Sequence, residues 1–230
     1  MSSLLLNAVT FAINKLYSHG VKLKDEQFRA VESVLRGKDV LAVLPTGFGK
    51  SLMYQILPDV FDYMSANSHL SKGKKGCVGS LILVVSPLNA LMCDQITKLN
   101  KRGIQSFMVT EVVSDNEQAH YHISVDSLKD LSCTCKIIYF HAELCVKNKS
   151  FFNALKSTGF QKRVKCVVVD EAHLIKEWYE CLINLHECPL YSTYVLSRNG
   201  SFTVLHMYCT VHRILQHGRP PLMYSPCLCK

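Results

Sequence analysis

The feature that most constrains the fold is the glycine-containing run LPTGFGKS at positions 44–51. A short apolar stretch, Asp39 to Leu44, precedes this run, and a helical pattern from Lys50 to Leu57 follows it. Gly47 and Gly49 allow backbone N–H groups to approach an anion closely, and the N-terminus of the following helix adds a favourable dipole. A strand, such a loop and a helix in this order are typical of a phosphate-binding loop.

Two polar side chains at the end of the loop can supply further phosphate and metal contacts. Lys50 can reach the β and γ phosphates of a nucleoside triphosphate, and the Ser51 hydroxyl can ligate Mg²⁺. The strict pattern G-x-x-x-x-G-K-[ST] requires glycine where this chain has Leu44. A glycine-rich surface turn before a helix is the alternative interpretation, which the strand–loop–helix context disfavours.

An acidic strand end, VVVDEAH at positions 167–173, is the second half of such a site. Asp170 can hold Mg²⁺ through its water shell, and Glu171 can polarise the attacking water. An Asp-Glu pair after a strand is often only a helix cap. Here it follows the lysine-serine loop by about 120 residues, and the two motifs together predict nucleotide hydrolysis.

Other apolar segments indicate the fold class. Leu81 to Val85, Ile137 to Phe140 and Val164 to Val169 are uninterrupted apolar runs of strand length, whereas Asp25 to Leu35 and Leu88 to Leu99 have helical patterns. Continuous apolar strands that alternate with helices predict a parallel sheet covered on both faces, which is an α/β fold.

Composition and targeting signals narrow the class of protein. The 230 residues suit one domain of ordinary size with a tail, and the net charge of +8 fits an anionic partner or merely a solvated basic face. Leu5, Val9, Ile13 and Leu16 have helical spacing, so the N-terminus predicts an amphipathic helix and not a signal peptide. The longest charge-free run, 76–93, contains Ser-Pro and Asn, which argues against a membrane span.

The cysteine pattern indicates a reducing compartment. The eleven cysteines are an odd number without regular spacing, which favours free thiols in the nucleus or cytoplasm. Cys133-x-Cys135 and Cys227-x-Cys229 raise zinc binding as an alternative, but neither pair has the usual spacing or a well-spaced second pair. Free thiols are therefore the favoured interpretation.

Four blocks of this sequence resemble the RecQ family of ATP-dependent DNA helicases in helicase superfamily 2. They are LKDEQFRAVESVLRGKDV, LPTGFGKSLMYQ, LILVVSPLNALMCDQI and VVVDEAHLIKEW. A weaker fifth block is IIYFHAE, in which Ala142 stands where the family typically has proline. The resemblance extends from Lys24 to Trp178, about two-thirds of the chain.

This resemblance implies a RecA-like P-loop domain with a mostly parallel central sheet flanked by helices. It implies that Gln27 reads the adenine edge of ATP, with Lys24 where the family usually has arginine. The implied catalytic residues are Lys50, Asp170 and Glu171, and Ser51 and Asp170 are the implied Mg²⁺ ligands. The residues of the loop that bind ATP are Thr46, Gly47, Phe48, Gly49, Lys50 and Ser51.

The resemblance also implies DNA contacts, to single-stranded or partly duplex DNA. Ser86 and Pro87 begin a contact to the DNA backbone, His173 couples the ATP and DNA sites, and Trp178 begins an aromatic-rich loop that senses single-stranded DNA. Translocation without base preference requires backbone contacts and stacking aromatics, which agrees with these residue types.

The expected domain organisation has three parts. Residues 1–22 form an N-terminal helix, 23–178 the ATP-binding RecA-like domain, and 179–230 a divergent tail without family motifs. The tail is expected to be irregular, or to contain a hairpin over Tyr194 to Val204 around Asn199-Gly200. The family's motif III strand is missing from the sequence, which predicts a central gap in the sheet unless Ser201 to Cys209 fills it.

A second RecA-like domain, which in the family supplies an arginine finger, is not recognisable in the 230 residues. Such an arginine is worth about 10³–10⁵ in rate. The leading hypothesis is therefore the ATP-binding domain of a RecQ-like DNA 3′–5′ helicase, as a truncated product, a splice form or a gene-prediction error. The main alternative is a nucleotide- and DNA-binding module without turnover, to which a protein partner could supply the second domain. An RNA helicase of the DEAH type fits the loop signature less well.

Overall fold

Strands and helices alternate along most of the chain. The computed structural model describes residues 3–17, 20–45, 47–67, 79–110, 121–128, 134–170, 203–208 and 227–229. The helices are α1 Ser3–Leu16, α2 Asp25–Leu35, α3 Lys50–Ala66, α4 Asn89–Lys101, α5 Ala142–Lys147, α6 Lys149–Lys156 and α7 Thr158–Arg163. The strands are β1 Val40–Leu44, β2 Leu81–Val85, β3 Ser106–Thr110, β4 His122–Ser124, β5 Ile137–Phe140, β6 Val164–Val169, β7 Thr203–Tyr208 and β8 Cys227–Cys229.

The strands of the described residues form one sheet in the order β4-β3-β5-β2-β6-β7-β1-β8. All neighbouring strands are parallel except β7, which is antiparallel to both β6 and β1. This mostly parallel sheet, with helices on its faces, confirms the predicted RecA-like α/β fold. The carboxyl ends of β1 and β6 therefore lie at the same edge of the sheet.

The central strands are buried on both faces, which explains their uninterrupted apolar sequences. β2, LILVV, is buried at every position, and β5 is buried throughout. One face packs against α1 to α4, and the other against α5 to α7. The predicted bounds of β2, β5 and β6 agree with the structure, because fully buried strands carry the clearest sequence signal.

Helix α3 is longer than its sequence pattern predicts. The expected end was Leu57, directly before Pro58, but the helix continues to Ala66 with the proline inside it. Proline removes one backbone hydrogen bond, yet every residue from Met53 to Val60 is buried. The burial of this segment between α1 and the sheet offsets the lost bond.

Helix α1 is amphipathic, as predicted, and its apolar positions Leu5, Val9, Ile13 and Leu16 are all buried. Its Lys15 Nζ donates a hydrogen bond of 2.8 Å to the buried Asp59 carboxylate of α3. No helix of the described residues is long and apolar enough to cross a membrane.

The described part of the tail contributes to the main sheet. β7 lies in the predicted central gap, between β6 and β1, and pairs along its length with β1 from Val40↔Met207 to Leu44↔Thr203. Thr203 and Val204, at the end of the predicted hairpin, pair with Leu44 and Val43 of β1. The other residues of that hairpin, 194–202, lie outside the described residues, so the hairpin stays a prediction. β8 pairs in parallel with the other side of β1.

Candidate nucleotide-binding site

The loop between β1 and α3 has the backbone conformation that its glycines allow. Gly47 has φ +77° and Gly49 has φ +86°, both in the left-handed region that favours glycine. Gly49 is the N-cap of α3, so the loop leads directly into the N-terminus of a long helix. This arrangement directs the first N–H groups of α3 towards the carboxyl edge of the sheet, where an anion can bind them.

Lys50 lies at the mouth of this loop, where its ammonium group contacts backbone carbonyls. Its Nζ donates hydrogen bonds to the carbonyl oxygens of Leu44, at 3.2 Å, and Pro45, at 3.1 Å. A phosphate oxygen can replace these neutral acceptors with a stronger, charge-assisted bond. Ser51 follows in the first turn of α3, and Thr46 lies outside the described residues.

Gln27 connects helix α2 to the loop. Its Nε2 donates to the carbonyl oxygens of Phe48, at 2.9 Å, and Gly49, at 3.1 Å, while its Oε1 accepts from the backbone N–H of Lys24 at 2.8 Å. The side chain is buried. Sequence reasoning predicted Gln27 as a reader of the base but missed this second role as a brace for the loop.

Lys24 also contacts the loop, through an aromatic ring. Its Nζ lies 3.8 Å from the centroid of the Phe48 ring, a cation–π contact worth about 0.5–1 kcal/mol at an exposed site. Phe48 is therefore held by Gln27 through its carbonyl and by Lys24 through its ring. The sequence offered a signal for this contact, because Phe48 is the one bulky side chain between the two loop glycines.

Asp170 ends the other half of the site, directly after β6. Its backbone N–H donates to the carbonyl oxygen of Val85 at 2.9 Å, and the residue is 5% exposed. Burial raises the pKa of the phenols of Tyr54 and Tyr139, and the Asp170 carboxylate acts on both in the same direction. The Asp170 carboxylate is therefore close enough to both phenols to interact with them electrostatically. Glu171, which follows, lies outside the described residues.

The predicted DNA-contacting segment follows β2 at the same edge of the sheet. Ser86 is buried, Pro87 is half-buried and Leu88 is 52% exposed. The surface of this turn is therefore provided by Pro87 and Leu88, while the Ser86 hydroxyl points inward. Their contact with DNA stays a prediction, and His173 and Trp178 lie outside the described residues.

The described donor set fits a magnesium–nucleotide complex. Positive-φ glycines leave the loop backbone open to phosphate, Lys50 provides a cation, and Ser51 and the buried Asp170 provide the oxygen ligands that Mg²⁺ prefers. A Cβ atom on Gly49 would lie only 3.0 Å from Gln27 Nε2, so any other residue there would have to displace this side chain slightly as well as adopt a positive φ.

Comparison with known proteins gives a family match and several relatives. The family model described as DEAD/DEAH box helicase matches residues 24–196. The chain is 32% identical over 155 residues to the ATP-dependent DNA helicase hus2/rqh1 of Schizosaccharomyces pombe. These residues cover 67% of this chain and 10% of that protein. It is 31% identical over 158 residues to the ATP-dependent DNA helicase Q-like 2 of Arabidopsis thaliana; these residues cover 68% of this chain and 19% of that protein.

A bacterial relative gives the same result. The ATP-dependent DNA helicase RecQ of Pasteurella multocida is 32% identical over 152 residues, which cover 66% of this chain and 20% of that protein. The chain thus spans a fifth or less of the length of these three relatives. The resemblance to RecQ-like helicases, predicted from the four motif blocks, is confirmed by these similarities.

Proposed function

We propose, because the chain belongs to the DEAD/DEAH box helicase family, that it is the ATP-binding domain of a RecQ-like DNA 3′–5′ helicase. In the full-length protein this domain couples the binding and hydrolysis of MgATP to DNA unwinding. The names of its relatives, ATP-dependent DNA helicases, support both the nucleotide and the DNA substrate.

One observation supports this function most strongly: the phosphate loop and Asp170 lie at the same edge of one sheet, separated by a single strand. β7 pairs with both β1 and β6, with Leu44 opposite Thr203 and Val169 opposite His206. A phosphate-binding helix terminus beside a buried carboxylate is the arrangement that hydrolysis of a nucleoside triphosphate requires.

The roles of the site residues follow from their chemistry. Lys50 leaves its two carbonyl acceptors to bind the β and γ phosphates, and Ser51 and Asp170 hold Mg²⁺. A Mg²⁺ ion held by these two side chains would supply positive charge beside the phosphates. Glu171, one residue beyond Asp170, orients and polarises the attacking water.

The base and the DNA are bound by residues on either side of this centre. Gln27 reads the adenine edge, beside Lys24, while its bonds to Phe48 and Gly49 transmit base binding to the loop. Ser86, Pro87, His173 and Trp178 belong to the DNA-binding and coupling region. With Ser86 buried, its backbone and Pro87 make the DNA contact.

Unwinding also needs a second RecA-like domain, which a longer form of the protein or a protein partner supplies. The expected location is the nucleus, where a DNA substrate lies, or the cytoplasm. The alternative function is a nucleotide- and DNA-binding module without helicase turnover.

The test is the ATPase rate of the 230-residue chain with and without single-stranded DNA. We expect MgATP binding and DNA-stimulated turnover in the wild-type chain, and a loss of at least about tenfold in ATP affinity in Lys50→Ala, since a charge-assisted bond is removed. Lys98→Ala is the matched control, because Lys98 is an exposed lysine of α4. In the described part of the chain, its salt bridge is to Asp94 of the same helix. Binding without turnover favours the binding module, and equal binding by wild type and Lys50→Ala contradicts the proposed site.

A further inference from the structure

Three buried hydroxyl groups lie at the carboxyl edge of the sheet without hydrogen-bond partners among the described residues. They belong to Tyr54 of α3, Tyr139 of β5 and Ser86 after β2. None of the three residues is more than 1% exposed. The Tyr54 hydroxyl lies near those of Tyr139 and Ser51, but neither is a hydrogen-bond partner within 3.5 Å. Buried hydroxyl groups are almost always hydrogen-bonded in folded proteins, so three such groups close together need an explanation.

These hydroxyl groups share one face of the sheet with Asp170. Val84, Tyr139 and Val168 all belong to the core cluster beneath α3. Because successive residues of a strand point to opposite faces, Ser86 and Asp170, two positions after Val84 and Val168, lie on that same face.

The strand pairing continues to the last of these residues, which keeps them in register. The backbone N–H of Ser86 donates to the carbonyl oxygen of Phe140 at 3.2 Å, and that of Asp170 donates to Val85 at 2.9 Å. The alternation of side chains therefore holds up to Ser86 and Asp170, and both residues are buried.

Tyr54 and Tyr139 meet edge to face, with ring centroids 6.5 Å apart and an interplanar angle of 72°. Burial raises the pKa of both phenols, which are neutral hydroxyl groups able to donate a hydrogen bond. The carboxylate of Asp170 is close enough to raise both pKa values further. A carboxylate is the acceptor that such donors suit best.

A purely structural role explains these tyrosines poorly. Phenylalanine has the same ring and would pack in the same place without a buried, unpartnered oxygen and its desolvation cost. The chain nevertheless has tyrosine at both positions, and both hydroxyl groups lie beside the acidic end of the nucleotide site.

We propose that Tyr54 and Tyr139 are positioning residues for Asp170, and that their hydroxyl groups donate hydrogen bonds to its carboxylate when MgATP is bound. Tyr54 is one helical turn after Ser51 on α3, so it connects the loop side of the site to the acidic side. Tyr139 lies next to the Ser86 turn, which connects the same carboxylate to the predicted DNA surface. This inference rests on the proposed function, because it assigns Asp170 to the metal.

The experiment measures the affinity for a fluorescent, non-hydrolysable ATP analogue with Mg²⁺ and with EDTA, together with the Tm of the free chain. The variants are Tyr54→Phe and Tyr139→Phe, and Tyr63→Phe is the control, since Tyr63 is a half-buried tyrosine of the same helix that contacts Phe11 instead. We expect each variant to bind the analogue about tenfold more weakly with Mg²⁺, from the loss of a bond to a charged group. Affinity in EDTA and the Tm of the free chain should not fall, and the control should match wild type.

A merely structural role gives a different pattern and would overturn the inference. In that case the Tm of Tyr54→Phe and Tyr139→Phe falls and the Mg²⁺-dependent gain in affinity is unchanged. In an Asp170→Asn background, Tyr139→Phe should have no further effect on the Mg²⁺-dependent affinity; an additive loss also overturns the inference. If wild type binds the analogue and the tyrosine variants bind equally well, only this inference fails, whereas no binding by wild type refutes the proposed function together with it.

Discussion

The contact between Gln27 and the phosphate loop makes Gly49 the position where a single methyl group should matter most. Alanine at this position must keep φ near +86°, and its Cβ would lie 3.0 Å from Gln27 Nε2. Gly47 is a natural control in the same loop, because its φ is +77° but nothing lies within 4 Å of an added Cβ. The two substitutions share the backbone strain and differ in the clash.

The expected magnitude follows from these two contributions. Left-handed backbone costs a residue with a Cβ about 1–2 kcal/mol, so Gly47→Ala should lower the free energy of unfolding by about that amount. In Gly49→Ala, displacement of Gln27 also weakens its bonds to the Phe48 and Gly49 carbonyls, worth about 0.5–1.5 kcal/mol each. If both bonds are lost, the total for Gly49→Ala is therefore about 2–5 kcal/mol.

Urea unfolding followed by circular dichroism measures both variants, and repeating the pair in a Gln27→Ala background isolates the contact. With Gln27 shortened, Gly49→Ala and Gly47→Ala should cost the same. The reasoning is refuted if Gly49→Ala costs no more than Gly47→Ala in the wild-type background, or if its excess cost survives the removal of Gln27.

Two further predictions concern titratable groups outside the site. Burial lowers the pKa of His141, so the unfolded chain binds a proton at this histidine more readily than the folded chain does. The free energy of unfolding should therefore decline as pH falls through about 6.5. In a series of urea-unfolding measurements against pH, His141→Asn should reduce this decline, and an unchanged decline contradicts the assignment of the effect to His141. Burial raises the pKa of Cys135 to about 12, while Cys93 is only half-buried. Iodoacetamide should therefore label Cys93 well before Cys135 in peptide mass spectrometry of the folded chain, and equal rates would argue against a buried Cys135 thiol.

The strands that could be predicted from sequence are those whose burial is complete. β2 and β6 are apolar at nearly every position, and their bounds agree with the prediction. β7, TVLHMY, has no such signal in an irregular-looking tail, because its place depends on a gap between two distant strands. Helix α3 passes beyond Pro58 because tertiary burial outweighs the local preference of proline.

The candidate site was predictable to a similar degree. The loop glycines, Lys50 and Asp170 could be identified because their chemistry requires particular residue types at particular places in a strand–loop–helix unit. The bonds from Gln27 to the loop and the pairing of Tyr54 with Tyr139 depend on how α2, α3 and β5 pack together. No periodicity within a single segment contains that information.

The position of β7 also determines the order in which the domain can assemble. During synthesis, β1 with the phosphate loop and β6 with Asp170 both leave the ribosome before β7 does. Until β7 inserts, no strand of the described residues pairs with both β1 and β6, and Val40 must pair with a residue as remote as Met207. Pairings between such distant segments form slowly. The nucleotide site should therefore be among the last parts of the domain to reach its final geometry, and ATP binding should report that the sheet is complete.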